Sequence, residues 1–204
     1  MDTTTPLIIR LETEFSCAME ALRRAGWADP LLESARDEFD ADSLHLVVRL
    51  LEQPVGMVRL TQGPQSPLCV WSGGRAPLPS DPSVAELTRG VVAPAMRRLG
   101  IYRLMMLETV LRLGIRGVLV ATGAIEPDFP ARFFLAELGF LNVSTPILFD
   151  DHPRRGTYAQ CIRLDITPQK QVRWLICWEH LVAQLLGHNY TVDSDLTCAG
   201  YAHS

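Results

Sequence analysis

One short stretch limits the fold more than any other: residues 117–122 (GVLVAT) are continuously apolar and lie between glycines. An unbroken apolar run of this length is what a strand buried on both faces requires, as in a parallel sheet covered by helices. A helix predicted over 99–113 precedes it. That helix is apolar nearly all round, with Arg103, Glu108 and Arg112 as a thin polar stripe. Glu108 stands four residues before Arg112, a favourable i,i+4 pair. Residues 83–92 read as a further strand ahead of the helix.

Around this unit the same alternation continues. Residues 6–12 (PLIIRLE) read as a strand, and 13–26 have helical spacing ended by Gly26. An acidic, turn-like segment, 31–40, leads to strands at 44–51 and 55–61 around a Glu52-Gln53-Pro54 turn, a hairpin by length and composition. Residues 62–82, rich in Gly, Pro and Ser, read as a long loop with a short strand at 68–71, and loops of that length are often functional. A helix over 128–138 ends at Gly139, and strands at 142–149 and 157–166 flank the polar turn 150–156. Thr167 as N-cap with Pro168 at the first helical position opens a helix to Leu186, stopped by Gly187. The expectation is one α/β domain over 1–187 built on a mixed sheet, with 188–204 as a loosely held polar tail.

Composition narrows the function. Of 204 residues, 48% are hydrophobic and 21% charged, which excludes wholesale disorder. Nineteen basic against 23 acidic side chains give a net charge of −4, so no basic footprint for nucleic acid exists. No run reaches the ~20 apolar residues of a spanning helix, and no stable membrane insertion is expected. The first fifteen residues lack the basic region of a secretory signal, so a soluble cytoplasmic protein is expected. The five cysteines form no CxxC pair and the five histidines no HExxH, so no metal site is expected and the thiols are read as free.

The sharpest local signal is residues 84–107, VAELTRGVVAPAMRRLGIYRLMML, followed by RFFLAELGF at 132–140. A strand, an R-x-x-G turn opening a helix, an apolar strand and a helix ending in an aromatic-rich ELGF resemble the GNAT acyltransferases. The resemblance implies a GNAT-like mixed central sheet flanked by helices, here with an extra C-terminal helix. It also implies a turn whose backbone N–H groups meet a phosphate at a helix N-terminus. Arg97 and Gly100 keep the turn's pattern, and Tyr102 replaces its last small residue, which crowds a coenzyme A pyrophosphate. Arg97, Arg98, Gly100 and Tyr102 are therefore the candidate acyl-donor contacts. No permanently bound cofactor is implied. The co-substrate is acyl carrier protein with its phosphopantetheine arm, favoured because it brings one phosphate, or else acyl-CoA. The other reading of the arginines is a solvated pair.

A narrower resemblance covers roughly residues 27–114. Trp27, Asp37-Glu38-Phe39-Asp40, Val55-Gly56-Met57-Val58-Arg59-Leu60 and Glu86-Leu87-Thr88-Arg89 follow one another in order. Acyl-homoserine-lactone synthases carry a tryptophan, D-x-(F/Y)-D, V-G-x-x-R-L and E-x-(S/T)-R in that order, and N-acyl amino acid synthases share the broader arrangement. The resemblance implies that Asp37, Asp40, Arg59 and Arg89 form one charged cluster at an acceptor pocket lined by Trp27. The alternatives are surface ion pairs and, for Trp27, plain core. Departures fall at Cys17, Ala21, Ala35 and Ala85, where the synthases place an arginine, a phenylalanine, an acid and a tryptophan. The joint loss of arginine and acid reads as the removal of one ion pair, and it argues against S-adenosylmethionine as the acceptor.

Acyl transfer to an amine needs a neutral amine, a polarised thioester carbonyl and an acid for the leaving thiolate. Glu86 is the candidate base. On a regular strand it shares a face with Thr88, its partner in the proposed catalytic pair, while Leu87 and Arg89 take the other. The structural alternative for Glu86 is an ion pair with a neighbouring arginine. The expected function is an N-acyltransferase moving a fatty-acyl group from the thioester to the amine of an amino acid or peptide. Two other readings are an acyl-homoserine-lactone synthase using S-adenosylmethionine and a non-catalytic binding module on a GNAT scaffold.

Overall fold

The computed structural model describes residues 4–27, 35–62, 66–76, 81, 83–149 and 157–198. Among these, the chain forms nine strands and six helices. Strand β1 (Thr5–Glu12) leads to helix α1 (Cys17–Trp27), a 3₁₀ turn (Glu38–Asp40) and the hairpin β2 (Leu44–Leu50) and β3 (Gln53–Gln62). Helix α2 (Pro67–Trp71), strand β4 (Val84–Val92), helix α3 (Ile101–Ile115) and strand β5 (Val120–Ile125) follow. Then come α4 (Arg132–Leu138), β6 (Leu141–Asn142), β7 (Ile147–Phe149), β8 (Thr157–Asp165), α5 (Pro168–Gly187), β9 (Tyr190–Ser194) and α6 (Asp195–Cys198).

The sheet runs β6-β8-β5-β4-β3-β2-β1-β9, with β7 also on β8. The β4–β5 and β1–β9 pairs are parallel and the others antiparallel. This is the mixed sheet expected for a GNAT fold. Strand alternation divides the core. Leu46, Val48, Ala85, Leu87 and Ala121 face the main cluster with α3 and α5. On the other face Met19 and Leu22 of α1 pack on Val47, Met57 and Val91, and Leu68 and Trp71 of α2 pack with Phe149, Ala159 and Cys161.

Three sequence expectations change. Residues 68–71 are helical, because Ser66 caps Cys69 N at 3.2 Å and Pro67 opens the helix. The predicted strand 142–149 splits into β6 and β7 around Pro146, which cannot donate to a ladder. The segment read as a loose tail carries β9, paired with β1 from Thr5↔Tyr190 to Ile9↔Ser194. Arg112 secures that segment, donating to Asp195 at 3.1 Å and to Ser194 Oγ at 3.2 Å. Residues 31–34 of the turn-like segment 31–40, the expected turn at 150–156 and residues 199–204 lie outside the described residues. Among the described residues no helix is long and apolar enough to cross a membrane.

Candidate active site

The site forms where two parallel strands part. β4 and β5 are paired from Val84↔Val120 to Leu87↔Gly123, and no further. Beyond Leu87 the register of β4 against β3 also slips, between Met57 and Arg59, and Arg89 adopts φ +60°. A non-glycine residue in that region is strained, by an order of 1–3 kcal/mol. The parting opens a cavity of about 1210 Å³ lined from both faces of the sheet. Trp27, Leu68, Trp71, Thr88 and Arg89 wall one side; Tyr102, Met106, Phe134, Leu135 and Ile162 wall the other. Among the described residues the backbone groups of β4 after Leu87 have no partner strand on that edge, so N–H donors there can meet a carbonyl lying in the cleft.

On the first side the D-x-F-D stretch folds on itself. Asp37 Oδ1 accepts from Phe39 N at 3.1 Å and Asp40 Oδ2 accepts from Asp37 N at 3.0 Å, a reciprocal cap of the 3₁₀ turn. This turn presents both carboxylates to three buried arginines. Arg23 holds Asp40 in a bidentate pair at 2.7 and 2.8 Å, and Arg59 bridges Asp37 and Asp40, reaching the latter at 3.2 Å. Arg89 donates to Asp37 Oδ2, with its Nε at 3.1 Å. Arg59 Nε also donates to Thr88 Oγ1 at 3.0 Å. Burial by itself raises the Asp40 carboxyl, but the bonds and charge of Arg23 hold it below its usual value. Burial lowers the Arg89 guanidinium to about 10 despite Asp37. It also lowers His45, whose Nε2 lies 3.2 Å from Asp40 O, so this imidazole favours its neutral form.

Arg89 is the point where strand alternation fails. A regular β4 would send it to the face of Leu87. The positive φ instead carries it to the face of Thr88, where it stacks over Trp27 at 4.8 Å and Trp71 at 5.0 Å. Arg23 is the residue that sequence reasoning missed. It sits at 0% exposure on the face of α1 that also carries Met19 and Leu22. An arginine on the apolar stripe of a helix was the available signal. At the two positions where the synthases place an arginine and an acid, Cys17 is exposed and Ala35 accepts from Arg23 through its carbonyl at 2.9 Å.

Glu86 is buried beside this cluster but is not part of the cavity wall among the described residues. Its Oε1 accepts from Leu68 N at 3.0 Å and its Oε2 from Ser66 Oγ, so it fastens the start of α2. Burial raises its pKa to about 7, against the opposing effects of Ser66, Leu68 and the Arg59 charge. Both oxygens thus meet neutral donors, and among the described residues no arginine bonds to it directly.

The other candidates gather at the far end of the cavity. Gly100 caps α3 at φ +84°, and a Cβ there would lie 2.9 Å from Leu181 of α5, so glycine answers both the backbone and the packing. Among the described residues no side chain caps α3, so its first N–H groups can meet an anion. Arg97 lines the mouth while donating to Val92 O at 3.4 Å and to Gly26 O; Arg98 is exposed there. The Tyr102 ring lies across β4, 5.9 Å from the Phe129 ring, and a Cβ on Gly90 would meet it at 3.3 Å. Burial raises the Tyr102 phenol, which keeps its proton at neutral pH. Among the described residues no three His, Cys, Asp or Glu stand close enough to hold a metal ion.

Several solved structures share this architecture. A coenzyme A-dependent acyl-homoserine lactone synthase, BjaI, solved with SAM and isopentyl-CoA, superposes with TM-score 0.65 at 15% identity, covering 93% of each chain. The acyl-homoserine lactone synthase LasI gives 0.60 at 15% identity over 81% of this chain and 93% of its own. The ribosomal-protein-S18-alanine N-acetyltransferase of Escherichia coli gives 0.55 at 15% identity over 78% and 94%. At such identities the likeness is one of fold. No curated protein matches the chain. The sequence model of the acetyltransferase (GNAT) family matches residues 9–140, a span from β1 through the parted strands to the end of α4, and the chain belongs to that family.

Proposed function

We propose that the protein is an N-acyltransferase that moves a fatty-acyl group from an acyl thioester to the amine of an amino acid or peptide. The parting of β4 and β5 supports this reading, because its cavity has an apolar wall and reaches the buried charged cluster at Arg89. The thioester enters along the free edge of β4, whose N–H groups polarise its carbonyl. The acceptor amine approaches from the side of Trp27 and Arg89. The C–N bond forms, the C–S bond breaks, and the proton of the amine passes to Glu86 through a water. Glu86 is suited to this by a pKa of about 7. The thiolate takes a proton from the Tyr102 hydroxyl or from solvent.

Acyl carrier protein is the favoured donor. The Tyr102 ring against Gly90 and Phe129 narrows the place a pyrophosphate would take, and a phosphopantetheine arm brings one phosphate to Arg97, Arg98 and the start of α3. Thiol release measured with acyl carrier protein and acyl-CoA thioesters, across amino acids and short peptides, tests both points. Release is expected, faster with the carrier protein. Silence with every donor and acceptor sinks the reading, and equal rates with coenzyme A sink the donor preference.

One observation favours a second reading, an acyl-homoserine-lactone synthase. The Arg23–Asp40 pair adds a buried ion pair on the side of Trp27 and Arg89. Lactone formation from S-adenosylmethionine, followed by mass spectrometry, separates the two.

A further inference from the structure

We propose that Arg89 binds the carboxylate of the acceptor, so that the acceptor is a free α-amino acid. The inference rests on the acyltransferase reading for its substrate and on the following geometry for its site. The Arg89 side chain is 2% exposed, and its Nε and Nη2 are engaged by Asp37. Its Nη1 is buried with no acceptor among the described residues, although the residue lines the cavity. Leaving a buried charged donor unmatched is costly, and native proteins rarely do so without a ligand to complete the bond. The strained φ of +60° is what turns this side chain to the face of Thr88, where the residue lines the cavity. The backbone therefore bears a cost for the same placement.

The surroundings select the kind of anion. Arg23, Arg59 and Arg89 face Asp37 and Asp40, one guanidinium more than the carboxylates that bond to them. The third carboxylate, Glu86, is engaged by Ser66 and Leu68 instead. One nitrogen of Arg89 remains, beside the charge of Asp37, which suits a singly charged carboxylate and repels a phosphate dianion. The Trp27 and Trp71 rings stacked on the guanidinium keep water from it. An acceptor whose carboxylate is replaced by an amide leaves Arg89 Nη1 poorly matched, and hydrogen bonds to charged groups typically separate such pairs by ~10-fold or more.

The test uses the full chain and reads binding apart from turnover. The fluorescence of the tryptophans is titrated with the twenty standard amino acids, and each binder is compared with its α-amide and with inorganic phosphate. The acids should bind at least ~10-fold more tightly than their amides, and Arg89→Gln should abolish the difference. If Arg89→Gln does not fold, the acid-to-amide ratio of the wild type decides alone. No binding by any amino acid, equal binding of acid and amide, or displacement by phosphate at matching concentrations each overturns the proposal. Selective binding of acids without thiol release from any donor leaves the carboxylate site standing and removes the acyltransferase reading. Thiol release with acids and amides at equal rates does the reverse.

Discussion

Two buried arginine networks lie on opposite faces of the sheet. On the α3 side, Arg112 donates to Glu108 at 3.0 Å, to Asp195 at 3.1 Å and to Ser194 at 3.2 Å, and Trp178 Nε1 completes Glu108 at 2.9 Å. Its backbone is plain helix and the Glu108–Arg112 pair is the i,i+4 contact that the helix provides. On the α1 side, Arg89 leaves a regular strand at positive φ, and single nitrogens of Arg23, Arg59 and Arg89 stay without an acceptor among the described residues. A finished network with relaxed backbone is a fastening. An unfinished one, held under strain at a cavity, is arranged for something that arrives later.

The strongest way to break this contrast is to neutralise one buried glutamate on each face. Glu86→Gln should lower turnover by ~10²–10⁴-fold, about 3–5.5 kcal/mol of barrier, with the loss shrinking at higher pH where the amine is already neutral. Glu108→Gln should leave turnover within a few-fold. Thiol-release kinetics on both variants check this. If Glu86→Gln stays folded with near-normal turnover, Glu86 only fastens α2.

Stability should show the opposite order. Arg112→Ala leaves Glu108 buried without its cation and should cost ~3–5 kcal/mol in denaturant unfolding. Arg89→Gly should cost less than half of that, because Arg59 still pairs Asp37 and the strain at φ +60° is released. A larger loss for Arg89→Gly makes both networks fastenings.

A pH series isolates Glu86. Its folded pKa of about 7 lies above its unfolded value, so the folded state holds a proton that the unfolded state has lost. Stability from this group is full below the unfolded pKa and declines as pH rises to about 7, by up to ~3 kcal/mol. His45, lowered by burial, acts in the opposite sense, since protonating it as pH falls costs stability. The difference between wild type and Glu86→Gln unfolding curves removes that contribution, and a flat difference from pH 4 to 8 would contradict the burial effect.

The smallest expected effect lies at the donor end. Tyr102→Ala should raise the ratio of acyl-CoA to acyl carrier protein turnover by ~10-fold, near 1.4 kcal/mol. An unchanged ratio means the ring moves aside without cost.

Period and punctuation made much of this legible. The apolar run at β5, the all-round apolar α3 and the Thr167-Pro168 start of α5 are local signals, and their elements form within a few residues of the expected bounds. A comparable cap and proline, Ser66-Pro67, start α2 within a segment whose Gly, Pro and Ser content reads as loop. Asp37 and Asp40 meet Arg59 and Arg89 because the capped 3₁₀ turn and the β3–β4 pair bring these short motifs together. What stayed hidden depends on departures from regularity or on long-range pairing. No period foretells the φ of Arg89, Arg23 shows itself only as a polar residue on an apolar helix face, and β9 is polar because it lies at the sheet edge.

That edge has a consequence for how the molecule is made. β1 and β9 pair residues such as Ile9 and Ser194 that are almost a whole chain apart. During synthesis β1 leaves the ribosome early and waits with one side bare until β9 emerges. An unpaired strand edge of this kind is a template for other chains. Closure of so distant a contact is slow, so the nascent protein stays exposed to aggregation along β1 until β9 pairs with it.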